Sequence, residues 1–162
     1  MVSLAGAAAD PGYPAEIALV LASRADAAGL DTAAGLGLPT AIVPSRAFAR
    51  RADFDAEVSR QLEAAGVEAI ALAGFMRILT PGFVRRWQGR IVNIHPSLLP
   101  KYPGLDTHAR ALAAGDAEAG CTVHVVTDTL DDGPILGQAR VPILPGDTAE
   151  ARVEHAAFLA LA

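Results

Sequence analysis

Residues 70–73 read Ile70-Ala71-Leu72-Ala73, an unbroken apolar run, and an earlier run of the same kind reads Ile17-Ala18-Leu19-Val20-Leu21. A strand with one face in water alternates apolar and polar residues, whereas a strand covered by helices on both faces is apolar throughout. Helix-like segments separate such runs along the chain, as in repeated strand–helix units. We therefore predict an α/β fold, a doubly wound and mostly parallel sheet with helices on both faces.

The rest of the chain continues this alternation. Strands are predicted at Glu16–Ala22, Thr40–Val43, Ala69–Ala73, Arg90–Ile94, Thr122–Val126 and Ile135–Val141. Helices are predicted at Met1–Ala9, Ala25–Leu36, Asp53–Ala65, Pro81–Trp87, Thr107–Ala114 and Asp147–Leu161. The turn Asp131-Asp132-Gly133-Pro134 separates the last two strands, so we expect a hairpin or an antiparallel edge there. A doubly wound sheet normally begins with a strand, and the expected first strand is lacking before the first helix.

Composition narrows the class of function. The 162 residues fit a single domain, and 52% hydrophobic content is ample for a core. A net charge of −5 argues against nucleic acid and against an anionic membrane, and favours small-molecule partners. No apolar run reaches the roughly 18 residues that span a bilayer, and the lone Cys121 fits a cytoplasmic protein. The four histidines have no metal-ligand spacing, so we expect no metal, and the oligomeric state stays open.

A polar motif lies at the end of the fourth predicted strand. Asn93 and His95 are two residues apart, so their side chains point to the same face. In an open α/β sheet, ligands bind beyond the carboxyl ends of the strands. An amide that donates to a developing oxyanion, beside an imidazole that can exchange protons, is typical of acyl-type transfer. The alternative is a histidine at a strand end that is satisfied by backbone groups.

Carboxylates that could complete this motif occur in the acidic turn after the fifth strand. Asp128, Asp131 and Asp132 are the candidates, and any of them would favour the imidazolium form of a nearby histidine. Taken alone, such a turn is more often the solvated tip of a hairpin. His124, which alternates with valines on that strand, is as consistent with a packed histidine as with a residue supporting the site.

Three long motifs together resemble a known family. They are residues 73–79 (AGFMRIL), residues 93–108 (NIHPSLLPKYPGLDTH) and residues 123–134 (VHVVTDTLDDGP). Their order and spacing resemble the phosphoribosylglycinamide formyltransferases, folate-dependent enzymes of purine synthesis. The resemblance implies a Rossmann-like formyltransferase domain over residues 1–162. It also implies transfer of a formyl group from 10-formyltetrahydrofolate, as co-substrate and without a metal, to the amine of 5-phosphoribosylglycinamide.

The resemblance also implies roles for individual residues. Asn93, His95 and Asp131 match the catalytic residues of the family: the first two would donate hydrogen bonds to the formyl oxygen, and Asp131 would favour protonated His95. The folate contacts that it implies are Arg51, Met76, Arg77, Ile78, Leu79, Asn93, Val126 and Asp128. Glu154 matches a residue that contacts the ribonucleotide substrate.

The sequence departs from the family at both ends. The family begins with a hydrophobic strand and a Gly-x-Gly-Ser-Asn loop that binds phosphate, whereas Met1-Val2-Ser3-Leu4 matches the residues after that loop. We therefore expect a domain that is incomplete at both ends and, as written, poorly stable or inactive. The alternatives are a formyltetrahydrofolate deformylase, another folate-dependent formyl-transfer enzyme such as methionyl-tRNA formyltransferase, or a non-catalytic remnant.

Overall fold

The α/β class is confirmed by the computed structural model, which describes residues 1–75 and 77–149. The helices are α1 Val2–Ala8, α2 Ala28–Gly35, α3 Arg51–Ala64, α4 Pro81–Arg86 and α5 Thr107–Ala113, with a 3-10 turn at Ser45–Ala47. The strands are β1 Val20–Ala22, β2 Thr40–Ile42, β3 Ile70–Leu72, β4 Ile91–His95, β5 Glu118–Val125 and β6 Ile135–Pro142. In the described part of the chain, no helix is both long enough and apolar enough to cross a membrane.

The described residues form two compact units, and the first contains residues 1–69 and 77–86. Its strands β1 and β2 pair in parallel, and α2 packs against both. Helix α3 buries Phe54, Val58 and Leu62, whose spacing of four residues places them on one helix face. Buried Asp55 accepts the backbone N–H of Thr80 at 2.8 Å and so ties α3 to the start of α4.

The second unit, residues 70–75 and 87–149, holds a mixed sheet in the order β3-β4-β5-β6. Strands β3 and β4 are parallel, whereas β4 with β5 and β5 with β6 are antiparallel. Strand β4 is therefore paired on both sides, and its first residue, Ile91, is fully buried. This central position fixes the backbone that carries Asn93 and His95.

Apart from the helix predicted at Asp147–Leu161, each predicted helix and strand overlaps an observed one, but some boundaries differ. Strand β1 begins at Val20 instead of Glu16, because its partner β2 begins at Thr40 and pairs directly with Val20. Strand β5 begins at Glu118 instead of Thr122, since antiparallel pairing with β6 extends that far. The expected antiparallel edge is confirmed, and most of the predicted helix Asp147–Leu161 lies outside the described residues.

Candidate active site

The end of β4 brings two polar side chains together with a third from the neighbouring strand. Asn93 pairs directly with His124 across the antiparallel β4–β5 ladder, and directly opposed residues point to the same face of a sheet. The amide nitrogen Nδ2 of Asn93 consequently lies 3.3 Å from Nε2 of His124. His95, two residues beyond Asn93, shares that face.

The loop after β5 delivers a carboxylate to this face. Asp131 lies there with a left-handed backbone (φ 51°), and its side chain is 7% exposed. Gly133 allows the close approach, because a Cβ at this position would overlap the carbonyl oxygen of Val125. Of the three candidate carboxylates, the structure thus brings Asp131 to the histidines.

Asp131 uses both carboxylate oxygens within the site. Oδ2 accepts the backbone N–H of Gly104 at 2.8 Å and lies 3.4 Å from Nδ1 of His95. Oδ1 lies 3.6 Å from Nε2 of His124. The carboxylate therefore lies between two buried imidazoles.

The orientation of the His95 ring follows from its second contact. Nε2 lies 2.9 Å from the backbone carbonyl oxygen of Tyr102, and a carbonyl can only accept, so Nε2 carries a proton and donates it. The other nitrogen, Nδ1, then faces Asp131. A backbone contact of this kind was the alternative that the sequence left open for His95, and the structure shows it at one ring nitrogen. The sequence did not identify Tyr102 as the partner, because the contact comes from loop geometry seven residues away.

His124 is buried and also contacts this cluster, so the structure agrees with both interpretations that the sequence left open: a packed histidine and a residue that supports the site. Its Nδ1 lies 3.1 Å from the carbonyl oxygen of Val125 and donates to it, so Nε2 of a neutral ring accepts from Asn93. The contact orients the amide of Asn93 and uses one of its two N–H hydrogens. The second hydrogen is available to a ligand.

Comparison with known proteins places this chain in a family. The family model described as formyl transferase matches residues 2–160. The chain belongs to the formyl transferase family. The resemblance that the three motifs indicated is therefore confirmed.

Named relatives and a solved structure agree with this assignment. Phosphoribosylglycinamide formyltransferase of Escherichia coli K12 is 48% identical over 145 residues, which cover 86% of this chain and 68% of that protein. The trifunctional purine biosynthetic protein adenosine-3 of Drosophila pseudoobscura is 52% identical over 139 residues, which cover 86% of this chain. This formyl transferase chain spans only 10% of that relative's length. The crystal structure of the Brucella melitensis phosphoribosylglycinamide formyltransferase superposes with a TM-score of 0.89 at 47% identity, covering 95% of this chain and 79% of that one.

The predicted folate contacts of this formyl transferase are divided between the two units. In the first unit, Arg51 begins α3, and the guanidinium of Arg77 lies 5.2 Å from the ring centre of Phe54. Ile78 is 61% exposed, and Leu79 is half-buried.

The remaining predicted contacts lie in the second unit or outside the described residues. Val126 is half-buried and donates its N–H to the carbonyl oxygen of Ile91 at 2.9 Å, while Asp128 is exposed. Met76 and Glu154 lie outside the described residues. The roles of all these residues stay predictions.

A cavity of about 500 Å³ lies within the second unit, bordered by residues 96–102, the start of α5 and the start of β5. Its charged groups pair with one another: Lys101 with Asp116 at 2.8 Å, and Arg140 with Glu118 at 3.4 Å. The pairing of Asp116 with Lys101 lowers the pKa of that carboxyl and raises the pKa of the ammonium. Within residues 1–75 and 77–149, no three side chains of His, Cys, Asp or Glu are placed to hold a metal ion.

Proposed function

We propose that this chain transfers a formyl group from 10-formyltetrahydrofolate to the amine of 5-phosphoribosylglycinamide in purine synthesis. The observation that carries the proposal is the convergence of Asn93, His95 and Asp131 at the end of β4, with 3.4 Å between Nδ1 of His95 and Oδ2 of Asp131. The relatives named phosphoribosylglycinamide formyltransferase support this choice of substrate. We also propose that residues 1–162 act as one such domain, in the cytoplasm. The convergence of these three side chains leads us to propose an active chain, in place of the poorly stable or inactive one that we expected from the sequence alone.

Asn93 would stabilise the charge that develops on the formyl oxygen. When the substrate amine attacks the formyl carbon, the carbonyl oxygen gains negative charge. The Asn93 N–H that is not used by His124 can donate to this oxygen. A pre-oriented donor of this kind stabilises the transition state more than the ground state.

His95 would supply the second donor and handle the proton. Its Nδ1 lies 3.4 Å from Asp131, longer than the roughly 2.7–2.9 Å of a tight charge-assisted bond, so the Nδ1 proton is also available to the formyl oxygen. Transfer forms one C–N bond and breaks another; the attacking amine loses a proton, and the departing folate nitrogen gains one. His95, directly or through a water, would carry that proton, while Asp131 stabilises the charged ring.

The folate co-substrate supplies the formyl carbon as electrophile, and the predicted contact residues have chemistry suited to holding it. A pterin ring needs apolar walls and hydrogen-bonding groups at its edge. We propose that Arg51, Arg77, Ile78, Leu79, Val126 and Asp128, with Met76, hold the folate, and that Glu154 contacts the ribonucleotide. Because Asn93 and His95 supply the donors to the formyl oxygen, the reaction as proposed requires no metal.

The direct test follows the formyl group. The full chain is incubated with 10-formyltetrahydrofolate, with and without 5-phosphoribosylglycinamide, and formylated ribonucleotide and free formate are measured separately. We expect formylated ribonucleotide in the wild type and in Asp132→Asn, the exposed neighbour that serves as matched control, and a strongly reduced rate in His95→Gln. Formate release without the ribonucleotide would identify a deformylase, and folate binding without turnover would identify a non-catalytic remnant; either result contradicts the proposal.

A further inference from the structure

Strand β5 carries a threonine whose hydroxyl is completely buried and fully bonded. Oγ1 of Thr122 donates to the carbonyl oxygen of Ser97 at 2.6 Å and accepts the N–H of Leu99 at 3.0 Å. It also accepts from the side-chain amide of Gln138 at 3.0 Å. A hydroxyl has one donor and two acceptor positions, so every position is used. The hydroxyl therefore fixes the backbone on both sides of residue 98.

Gln138 reaches the same loop from the edge strand β6. Its Nε2 donates to the carbonyl oxygen of Leu99 at 2.8 Å as well as to Thr122. One amide hydrogen thus points to Leu99 in the loop, and the other points to Thr122, which holds the loop. Gln138 itself is an exposed residue. Local sequence patterns assign no role to this glutamine.

The loop held in this way ends at the contact that orients His95. The hydroxyl of Ser97 donates to the carbonyl oxygen of Lys101 at 2.6 Å and lies 3.3 Å from that of Tyr102. The Tyr102 carbonyl accepts from Nε2 of His95, and Tyr102 has a left-handed backbone (φ 57°), which only the surrounding contacts maintain. A continuous set of hydrogen bonds therefore runs from Gln138 to the catalytic imidazole.

We propose that Gln138, together with Thr122, is a positioning residue for His95. By fixing residues 97–102, the Gln138 amide keeps the Tyr102 carbonyl on Nε2 of His95, which leaves Nδ1 directed at Asp131. A small displacement of a catalytic group is costly, since a misplacement of about 1 Å can lower a rate by roughly 100-fold. The effect on turnover rests on the proposed function, whereas the effect on the ring does not.

The experiment compares Gln138→Glu with the wild-type chain. Glutamate has the same shape but no donor, so it meets the Leu99 carbonyl with a negative charge at neutral pH. Leu136→Met, at an exposed position two residues earlier on β6, is the matched control for disturbance of the edge strand. Thr122→Ser, which retains the hydroxyl, is a second control for the loop. Circular dichroism establishes that all variants are folded.

The first readout is nitrogen-15 NMR of the His95 ring, assigned by its loss in His95→Gln. We expect a slowly exchanging Nε2–H in the wild type, in Leu136→Met and in Thr122→Ser, and loss of its protection in Gln138→Glu. An unchanged Nε2–H signal in folded Gln138→Glu would overturn the proposal, as would the absence of that signal from the wild type.

The second readout is steady-state kinetics of formyl transfer. We expect kcat of Gln138→Glu to fall by about 10-fold with KM for the ribonucleotide within about twofold, because the residue acts on the reacting group and not on substrate binding. An equal fall in Leu136→Met, or a change in KM alone, would contradict a positioning role. A wild-type chain without turnover would overturn the proposed function alone, since the NMR comparison does not depend on turnover.

Discussion

Replacement of Asp131 by asparagine is the most informative single change to this site. Asparagine retains an oxygen that can accept the Gly104 N–H, and it tolerates the left-handed backbone of this position (φ 51°). The substitution therefore removes the negative charge next to His95 without the strain that most residues would introduce. We expect Asp131→Asn to fold normally and to lose most of its turnover.

The expected fall in turnover of Asp131→Asn follows from the distance between His95 and Asp131. Opposite charges 3.4 Å apart interact by roughly 5 kcal/mol at an effective dielectric constant of about 20. Because both groups lose water on folding, only part of this energy is net stabilisation, and we take about 1.5–3 kcal/mol, the range for an interaction with a charged partner. At about 1.36 kcal/mol per factor of ten, 1.5–3 kcal/mol corresponds to a rate lower by about 10- to 160-fold.

The assay measures kcat and KM for formyl transfer in Asp131→Asn, Asp132→Asn and the wild type. Asp132 is the matched control, because it is the adjacent exposed carboxylate and carries the same charge. We expect Asp132→Asn to stay within about twofold of the wild type, as is usual for exposed positions. If folded Asp131→Asn kept kcat within threefold of the wild type, the assignment of Asp131 as the stabilising charge would be refuted.

Three further predictions concern residues around the site. His124→Phe leaves two half-buried partners unsatisfied, the Asn93 amide and the Val125 carbonyl, and should lower the free energy of unfolding in urea by about 1–3 kcal/mol. No change would contradict its place in the network. Gly133→Ala should lower the free energy of unfolding in urea by about 1–3 kcal/mol, because the added Cβ overlaps the Val125 carbonyl oxygen. Gly137→Ala is the control in the same experiment, since a Cβ there meets nothing within 4 Å. Equal effects of the two substitutions would refute the steric argument. Burial raises the pKa of the Cys121 thiol, so its contribution to stability is present below the ordinary thiol pKa and is lost as the pH rises through the raised value. Urea unfolding across the alkaline range should show this loss in the wild type but not in Cys121→Ala, and identical pH dependence would contradict it.

Local patterns were sufficient to predict the elements of this fold. The unbroken run Ile70-Ala71-Leu72 became β3 beside the central strand, and the spacing of Asn93 and His95 placed both on one face at the end of β4. These predictions depend only on strand periodicity and on the general geometry of α/β sheets, both of which act over a few residues.

The register between β4 and β5 could not be predicted from these local patterns. Nothing in the sequence places His124 opposite Asn93, because the β4–β5 register depends on pairing between residues about 30 positions apart. The Tyr102 carbonyl on His95 and the Gln138 amide on Leu99 are likewise set by how a loop packs and not by its composition. Sequence reasoning therefore proposed which residues react, while the structure was needed to find which residues contact them.

The most direct test of the central claim follows an isotopically labelled formyl group from 10-formyltetrahydrofolate through the wild-type chain. We expect the label to appear in formylated 5-phosphoribosylglycinamide, at a rate that falls by about 10- to 160-fold in Asp131→Asn and is retained in Asp132→Asn. Label found in free formate in the absence of the ribonucleotide, or equal rates in the two variants, would contradict it.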